Sequence, residues 1–321
     1  MSLNTRVVRS LALAAGLLLA VAACAQEGRF AFAAQAQARS ILGQQDDYLR
    51  ATGALERSVL LGVAGPVDRE RLAAAMGETA RDWTDDEKRA IAPMLARLDA
   101  FLSGMQWKGP PAILLVKASD ALMDGLPHTR ANAIVLPEGM LQQALARPAM
   151  LEFLLVHETF HVLTRADPAA RDTLYGAIGF RACAAVEMPP ALADLRITNP
   201  DAPESLHAIE VRWRGQPAEA LPYVHFPSAA VDPRSGFAAQ MRTSWLLVER
   251  QDGRCRVRDG SPAREELEGL YEQVGRNTGY LLHAEEILAD NFALLFREHV
   301  APGVTRIHSP EILERMRTIL R

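Results

Sequence analysis

Residues His157-Glu158-Thr159-Phe160-His161 read HExxH. On a helix, positions four apart face the same way, so both imidazoles can bind one metal ion. Glu158 stands beside the first histidine, where it can act as a base on a metal-activated water. The surrounding string 151–165, LEFLLVHETFHVLTR, is apolar almost all round and predicts a buried helix. Two histidines and a glutamate inside such a helix are costly if left unpaired. A metal removes that cost. The competing reading is a pair of core histidines satisfied by neighbouring side chains.

A zinc site with two histidines needs a third protein ligand and an open position. The segment 282–292, LHAEEILADNF, supplies candidates. Glu286 and Asp290 lie four apart on one face of an otherwise apolar helix, where two carboxylates repel. The pairing makes sense if Glu286 binds the metal and Asp290 accepts the outer N–H of a ligand histidine. Glu285 is the rival ligand, but its helical face continues to Leu288, Ala289 and Phe292 with no supporting acid. His283 precedes Glu286 by three residues and fits a helix start or a substrate contact better than ligation. These residues predict one Zn2+ per chain, held by His157, His161 and Glu286.

HExxH followed by a distant Glu-x-x-x-Asp resembles the gluzincin metallopeptidases. The string Glu286-Ile287-Leu288-Ala289-Asp290 is especially similar to the E-x-x-A-D motif of bacterial membrane-linked heat-shock and prenyl-processing proteases. The resemblance covers 110–165 and 275–297. It implies His157, His161 and Glu286 as zinc ligands, Glu158 as general base, and Asp290 as support for a ligand histidine. It also implies a strand upstream of the zinc helix that pairs with extended substrate. The segment 132–136 stands in that place, with Ala133 and Ile134 as substrate contacts; the alternative is a central strand of buried residues. The chain departs from those families in the long gap between His161 and Glu286 and in lacking a multi-span membrane part. A residue to stabilise the transition state is not fixed by the motif. Tyr280 and His283 are nearest in sequence, followed by Tyr271 and Arg276.

The elements that must position these groups are set by periodicity and punctuation. The region 30–105 is alanine-rich with few β-branched residues and reads as helical. Thr84-Asp85-Asp86-Glu87 has capping-box spacing, so a helix starts at Asp85 and buries Ile91, Met94, Leu95, Leu98 and Leu102. Strands are expected at 112–116 and 133–136, and one or two helices over 141–165, divided near Pro148. Between 205 and 258 the period becomes two, with Ile209, Val211 and Trp213 alternating and Asp252-Gly253 marking a hairpin. Helices return at 281–296 and after Ser309-Pro310. The fold class is therefore α+β: a zincin-like core with an N-terminal helical region and an antiparallel β insertion.

The N-terminus reads as an export signal. Arg6 and Arg9 precede an apolar run over 11–23, too short to span a bilayer. Val21-Ala22-Ala23-Cys24 resembles a bacterial lipobox, which predicts cleavage before Cys24 and its lipidation; Ala23-Cys24-Ala25 also allows plain cleavage before Gln26. The divisions are 1–23, a lipoprotein-type signal peptide; 26–108, a helical region; and 109–321, the metallopeptidase domain. Cys183 and Cys255 either pair in an oxidising compartment or stay as buried thiols. A hydrophobic content of 49% and a net charge of −4 exclude bulk disorder and a basic nucleic-acid surface. The expected protein is an exported, lipid-anchored zinc metallopeptidase on the periplasmic face of the envelope, acting on peptides or proteins. Its rivals are a non-catalytic zinc-containing envelope scaffold and a metal-dependent amidase on cell-wall peptide.

Overall fold

Two sheets and the helices packed on them make up the described residues. The computed structural model describes residues 28–321 apart from positions 107 and 205; the segment read as an export signal and Cys24 lie outside the described residues. The first sheet contains β1 (Phe30–Phe32), β2 (Ala80–Arg81), β3 (Ile113–Ala118), β4 (His128–Arg130) and β5 (Ala133–Pro137). β3 pairs in parallel with β1 and β5 and antiparallel with β2, while β4 runs antiparallel to β5 and forms an edge. β5 is apolar throughout because both of its faces are covered. Ile134 and Leu136 enter one core, Ala133 and Val135 another.

Helices α1 (Gln35–Leu42), α2 (Asp47–Ala51), α3 (Ala54–Leu60) and α4 (Arg69–Glu78) pack on the Ala133/Val135 side. Helix α5 (Asp85–Ser103) packs on the other. Its start is the expected capping box: the Glu87 N–H donates to Thr84 Oγ1 at 3.2 Å, and the Thr84 N–H to Glu87 Oε2 at 2.8 Å. Ile91, Met94, Leu95, Leu98 and Leu102 are all buried. The 30–105 region departs from a purely helical reading at β1 and β2, which are too short to show a period and are held as strands by β3. The N-terminal region thus shares both sheet and core with the strands and helices C-terminal to it.

Next come α6 (Glu138–Leu145), α7 (Pro148–Ala166) and α8 (Pro168–Ala177), with Pro148 and Pro168 in first turns, where a missing N–H costs nothing. The second sheet comprises β6 (Phe180–Ala182), β7 (Val186–Glu187), β8 (His207–Trp213), β9 (Gln216–His225), β10 (Arg242–Gln251), β11 (Arg254–Val257) and β12 (Leu267–Glu268). β8 to β11 form an antiparallel meander. Asp252-Gly253 makes the β10–β11 turn with φ of 51° and 76°, the left-handed pair that hairpin twist demands. Cys183 and Cys255 form a disulfide under this sheet's outer face, across 72 residues of sequence.

Between and after these strands lie α9 (Pro190–Ala193), α10 (Phe237–Gln240), α11 (Leu270–Val274), α12 (Ala284–Val300) and α13 (Pro310–Leu320). Helix α13 buries Ile312, Leu313, Met316 and Leu320, while the Ser309 hydroxyl accepts the Arg276 N–H rather than capping its own helix. Helices α7 and α12 lie together in the first core, with the Phe160 and Phe292 rings 5.4 Å apart. No helix among the described residues is long and apolar enough to cross a membrane.

An irregular stretch, 196–204, links α9 to β8 and passes over α7. Thr198 fixes it from below: its N–H and hydroxyl donate to Glu56 Oε1 and Oε2, both at 2.9 Å. Burial outweighs these bonds and pushes the Glu56 carboxyl from the ordinary 4.5 up to about 7. The folded chain then binds this proton more tightly than the unfolded chain does. Stability is lost as pH rises from about 4.5 to about 7 and is level beyond, a loss of about 3 kcal/mol. Glu56→Gln removes this titration. The stability of wild type relative to that variant should therefore fall by about 3 kcal/mol between pH 4 and pH 8 in denaturant unfolding. A difference that is the same at both pH values would contradict a buried, proton-holding Glu56.

Candidate metal centre

Helix α7 has no polar face over its middle. Leu155, Val156, Phe160, Val162 and Leu163 are buried together with His157, Glu158 and His161. Helix α12 is equally enclosed and brings Glu285, Glu286 and Asp290 against it. One ring nitrogen from each histidine and one Glu286 oxygen lie within 4.8 Å of one another. Glu286 Oε2 is 3.2 Å from His157 Nε2 and 3.7 Å from His161 Nε2.

The outer ring nitrogens have carboxylate partners. His157 Nδ1 is 2.9 Å from Asp290 Oδ1, the role the i, i+4 spacing predicts for Asp290. His161 Nδ1 is 2.9 Å from Glu285 Oε1. A carboxylate on Nδ1 fixes the N–H there and leaves the Nε2 lone pair free for a ligand. Glu285 is therefore placed differently from the rival-ligand reading. It supports a histidine, and its carboxylate also accepts the Thr164 hydroxyl at 2.6 Å and the Tyr175 hydroxyl. The residues that complete its surroundings come from α7 and α8, so the periodicity of α12 alone could not reveal them. Asp290 in turn accepts the Thr278 hydroxyl, and Asn199 Nδ2 donates to Glu286 Oε1 at 2.7 Å.

Two polar atoms at the centre have no hydrogen-bond partner despite full burial: His161 Nε2 and Glu158 Oε2. Native proteins rarely bury such atoms unless a ligand, ion or water completes them. The charge balance points the same way. Burial opposes protonation of His161, yet Asp201, Glu286 and Glu285 lift it to about 9. His157 is likewise raised against burial, by Asp290 and Glu286. Burial would raise Glu286, but His161 and His157 hold it down to about 2. Burial, then Asp201, push Glu158 up to about 8. The carboxylates set up a field that favours positive charge between the imidazoles. With two nitrogens and one oxygen converging, the residues fit a divalent metal ion.

The centre opens on a cavity of about 820 Å3, which His157, Glu158, Glu286 and Asp290 line together with apolar groups such as Leu126, Met140 and Phe153. Tyr280 lies at this cavity and is 45% exposed. Burial of its hydroxyl, then the charge of Glu286, hold it protonated well above its ordinary range. His283 also reaches the cavity wall, but its Nδ1 accepts the Glu285 N–H at 3.0 Å, which makes it the N-cap of α12. Burial, then His207, hold its ring at about 3. Tyr271 and Arg276 are absent from the cavity wall; the guanidinium stacks on the ring at 4.2 Å.

Ala133 and Ile134 are not substrate contacts. They are fully buried in β5, flanked on one side by β3 and on the other by β4. The edge nearer the centre is β4, and its Thr129 N–H and hydroxyl already donate to Asp201 Oδ1, at 2.7 and 2.5 Å. The short strand His128–Arg130 offers too little alternation to be seen in sequence. Asn199 and Asp201 lie in an irregular stretch with no motif, and nothing in the sequence marked them.

Removing an outer partner of a metal-bound histidine typically lowers metal affinity about 10–100-fold. We expect Asp290→Asn and Glu285→Gln each to weaken divalent-metal binding by that factor in competition with a chromophoric chelator. Unchanged affinity in both would contradict the positions assigned to them. A scan of the chain against protein-family models, a search of curated proteins and a search of solved structures each found no match, so the reading of this centre rests on its own geometry.

Proposed function

We propose that this chain is an exported zinc metallopeptidase of the gluzincin type. One observation carries the reading: the buried, unpartnered carboxylate oxygen of Glu158 lies beside His157, His161 and Glu286, which converge on one point. A site with only a structural role has no use for a free base in that position. His157, His161 and Glu286 would hold the ion, whose Lewis acidity lowers the pKa of water toward about 7 and polarises a carbonyl. Asp290 and Glu285 keep both imidazoles in the ligating tautomer. Glu158 takes a proton from the attacking water and returns it to the departing amine. Tyr280, protonated and facing the cavity, donates to the developing oxyanion. The apolar walls at Leu126, Met140 and Phe153 receive an apolar substrate side chain.

The disulfide Cys183–Cys255 supports an oxidising compartment and hence export. Lipidation of Cys24 is part of the same proposal. Incubation of the zinc-loaded chain with a peptide library, followed by mass spectrometry of the products, tests the reading. New termini next to apolar residues are expected, and they should vanish on chelation. Cleavage of wall-derived peptide amides alone would favour the amidase. No cleavage by fully loaded wild-type and Asp201→Asn chains alike would favour the scaffold.

A further inference from the structure

We infer that the 196–204 stretch is a strap that brings Asp201 to the metal centre as a removable fourth ligand, so that the chain folds in a latent form. The inference rests on the metal centre proposed above. A carboxylate oxygen of Asp201, one of Glu158 and a ring nitrogen of His161 lie within 4.8 Å of one another. Both Glu158 Oε2 and His161 Nε2 are buried without hydrogen-bond partners. Asp201 Oδ1 is held by Thr129, whereas its Oδ2 has no hydrogen bond among the described residues and is left for a cation. Asp201 shares only His161 with the ligand set, and a carboxylate drawn in from there closes the position that a hydrolytic metal keeps open for water or substrate.

The strap also covers the ground a substrate needs. The outward Thr129 N–H of edge strand β4 is the group an extended peptide would use to add to this sheet, and Asp201 already accepts it. Asn199 donates to Glu286, so the strap touches the ligand set at a second point. Pro200, Asp201, Pro203 and Glu204 form a wall shared by the 820 Å3 cavity and a second one of about 460 Å3. Lifting the strap would join the two into one cleft running past the centre.

The strap pairs with β9 only at its start, where the Ile197 N–H donates to the Val224 carbonyl at 2.8 Å, and beyond that point side chains hold it. Arg165 Nη2 donates to the carbonyls of Pro200 and Asp201 at 3.1 and 3.3 Å, Glu56 accepts from Thr198, and Arg196 donates to the Pro203 carbonyl. Such a set of separate bonds can be released without unfolding either sheet.

Cobalt(II) in place of zinc gives the purified full chain a visible spectrum that reports ligand exchange, and imidazole is the probe. Imidazole is neutral at pH 8, so loss of a negative charge does not by itself improve its binding. If the strap is closed nine-tenths of the time, the probe's apparent affinity is reduced about 10-fold. Asp201→Asn keeps the bond from the Thr129 N–H and removes the ligand. It should bind imidazole about 10-fold more tightly than wild type while releasing cobalt more readily to a chelator. Thr129→Val loosens the latch without replacing a metal ligand and should shift imidazole affinity in the same direction. This second variant carries the test should the first fail to fold. Equal imidazole affinities in all three cobalt-loaded chains would overturn the strap and leave the metal centre standing. Failure of wild type to bind cobalt would overturn both.

Discussion

His161→Ala should leave the chain with almost no bound metal. His161 is fully buried, its Nδ1 is committed to Glu285, and its Nε2 has no hydrogen-bond partner. Truncation removes one of two nitrogen donors and leaves Glu285 and Glu286 facing a void. The loss should exceed the ~10–100-fold expected for an outer partner such as Asp290. Metal analysis of the purified variant beside wild type gives the answer. One zinc per chain in wild type and near none in His161→Ala are expected; full occupancy in the variant would refute the ligand set. The variant should also be less stable, because binding energy that wild type gains on folding is gone.

Glu158→Gln should leave metal binding intact and remove catalysis. The amide has the shape of the carboxylate but cannot take up the proton of an attacking water. General acid–base groups typically contribute about 10²- to 10⁴-fold in rate, and turnover of any peptide found by the library screen should fall by that factor at equal zinc. Because kcat and kcat/KM should fall together, the loss would be one of transition-state stabilisation rather than of substrate binding. Unchanged turnover at equal zinc would exclude Glu158 as the base. A comparable drop in zinc content would make it a ligand instead.

The parts of this centre that lie on long helices were legible in the sequence. His157, Glu158 and His161 are spaced by the turn of α7, and Glu286 and Asp290 by the turn of α12, so local periodicity alone aligns them. The start of α5 at Thr84 and the Asp252-Gly253 hairpin were legible for the same reason, since each is fixed within four residues. Groups brought in by tertiary contact could not be read. Glu285 reads as unsupported on its own helix because its partners, Thr164 and Tyr175, belong to α7 and α8. Asn199 and Asp201 carry no signature, being set by where an irregular stretch crosses α7. The exchange of roles between β4 and β5 has a similar origin. A three-residue edge strand leaves no pattern, while the apolar run of β5 fits an edge or a centre until its neighbours are known.

Zinc K-edge X-ray absorption on the loaded wild-type chain tests the central claim most directly, because it reads the donor atoms themselves. The account predicts a first shell of nitrogen and oxygen only, at about 2.0–2.2 Å, with the outer scattering of two imidazoles. Sulfur at about 2.3 Å, or a shell with no imidazole scattering, would contradict it.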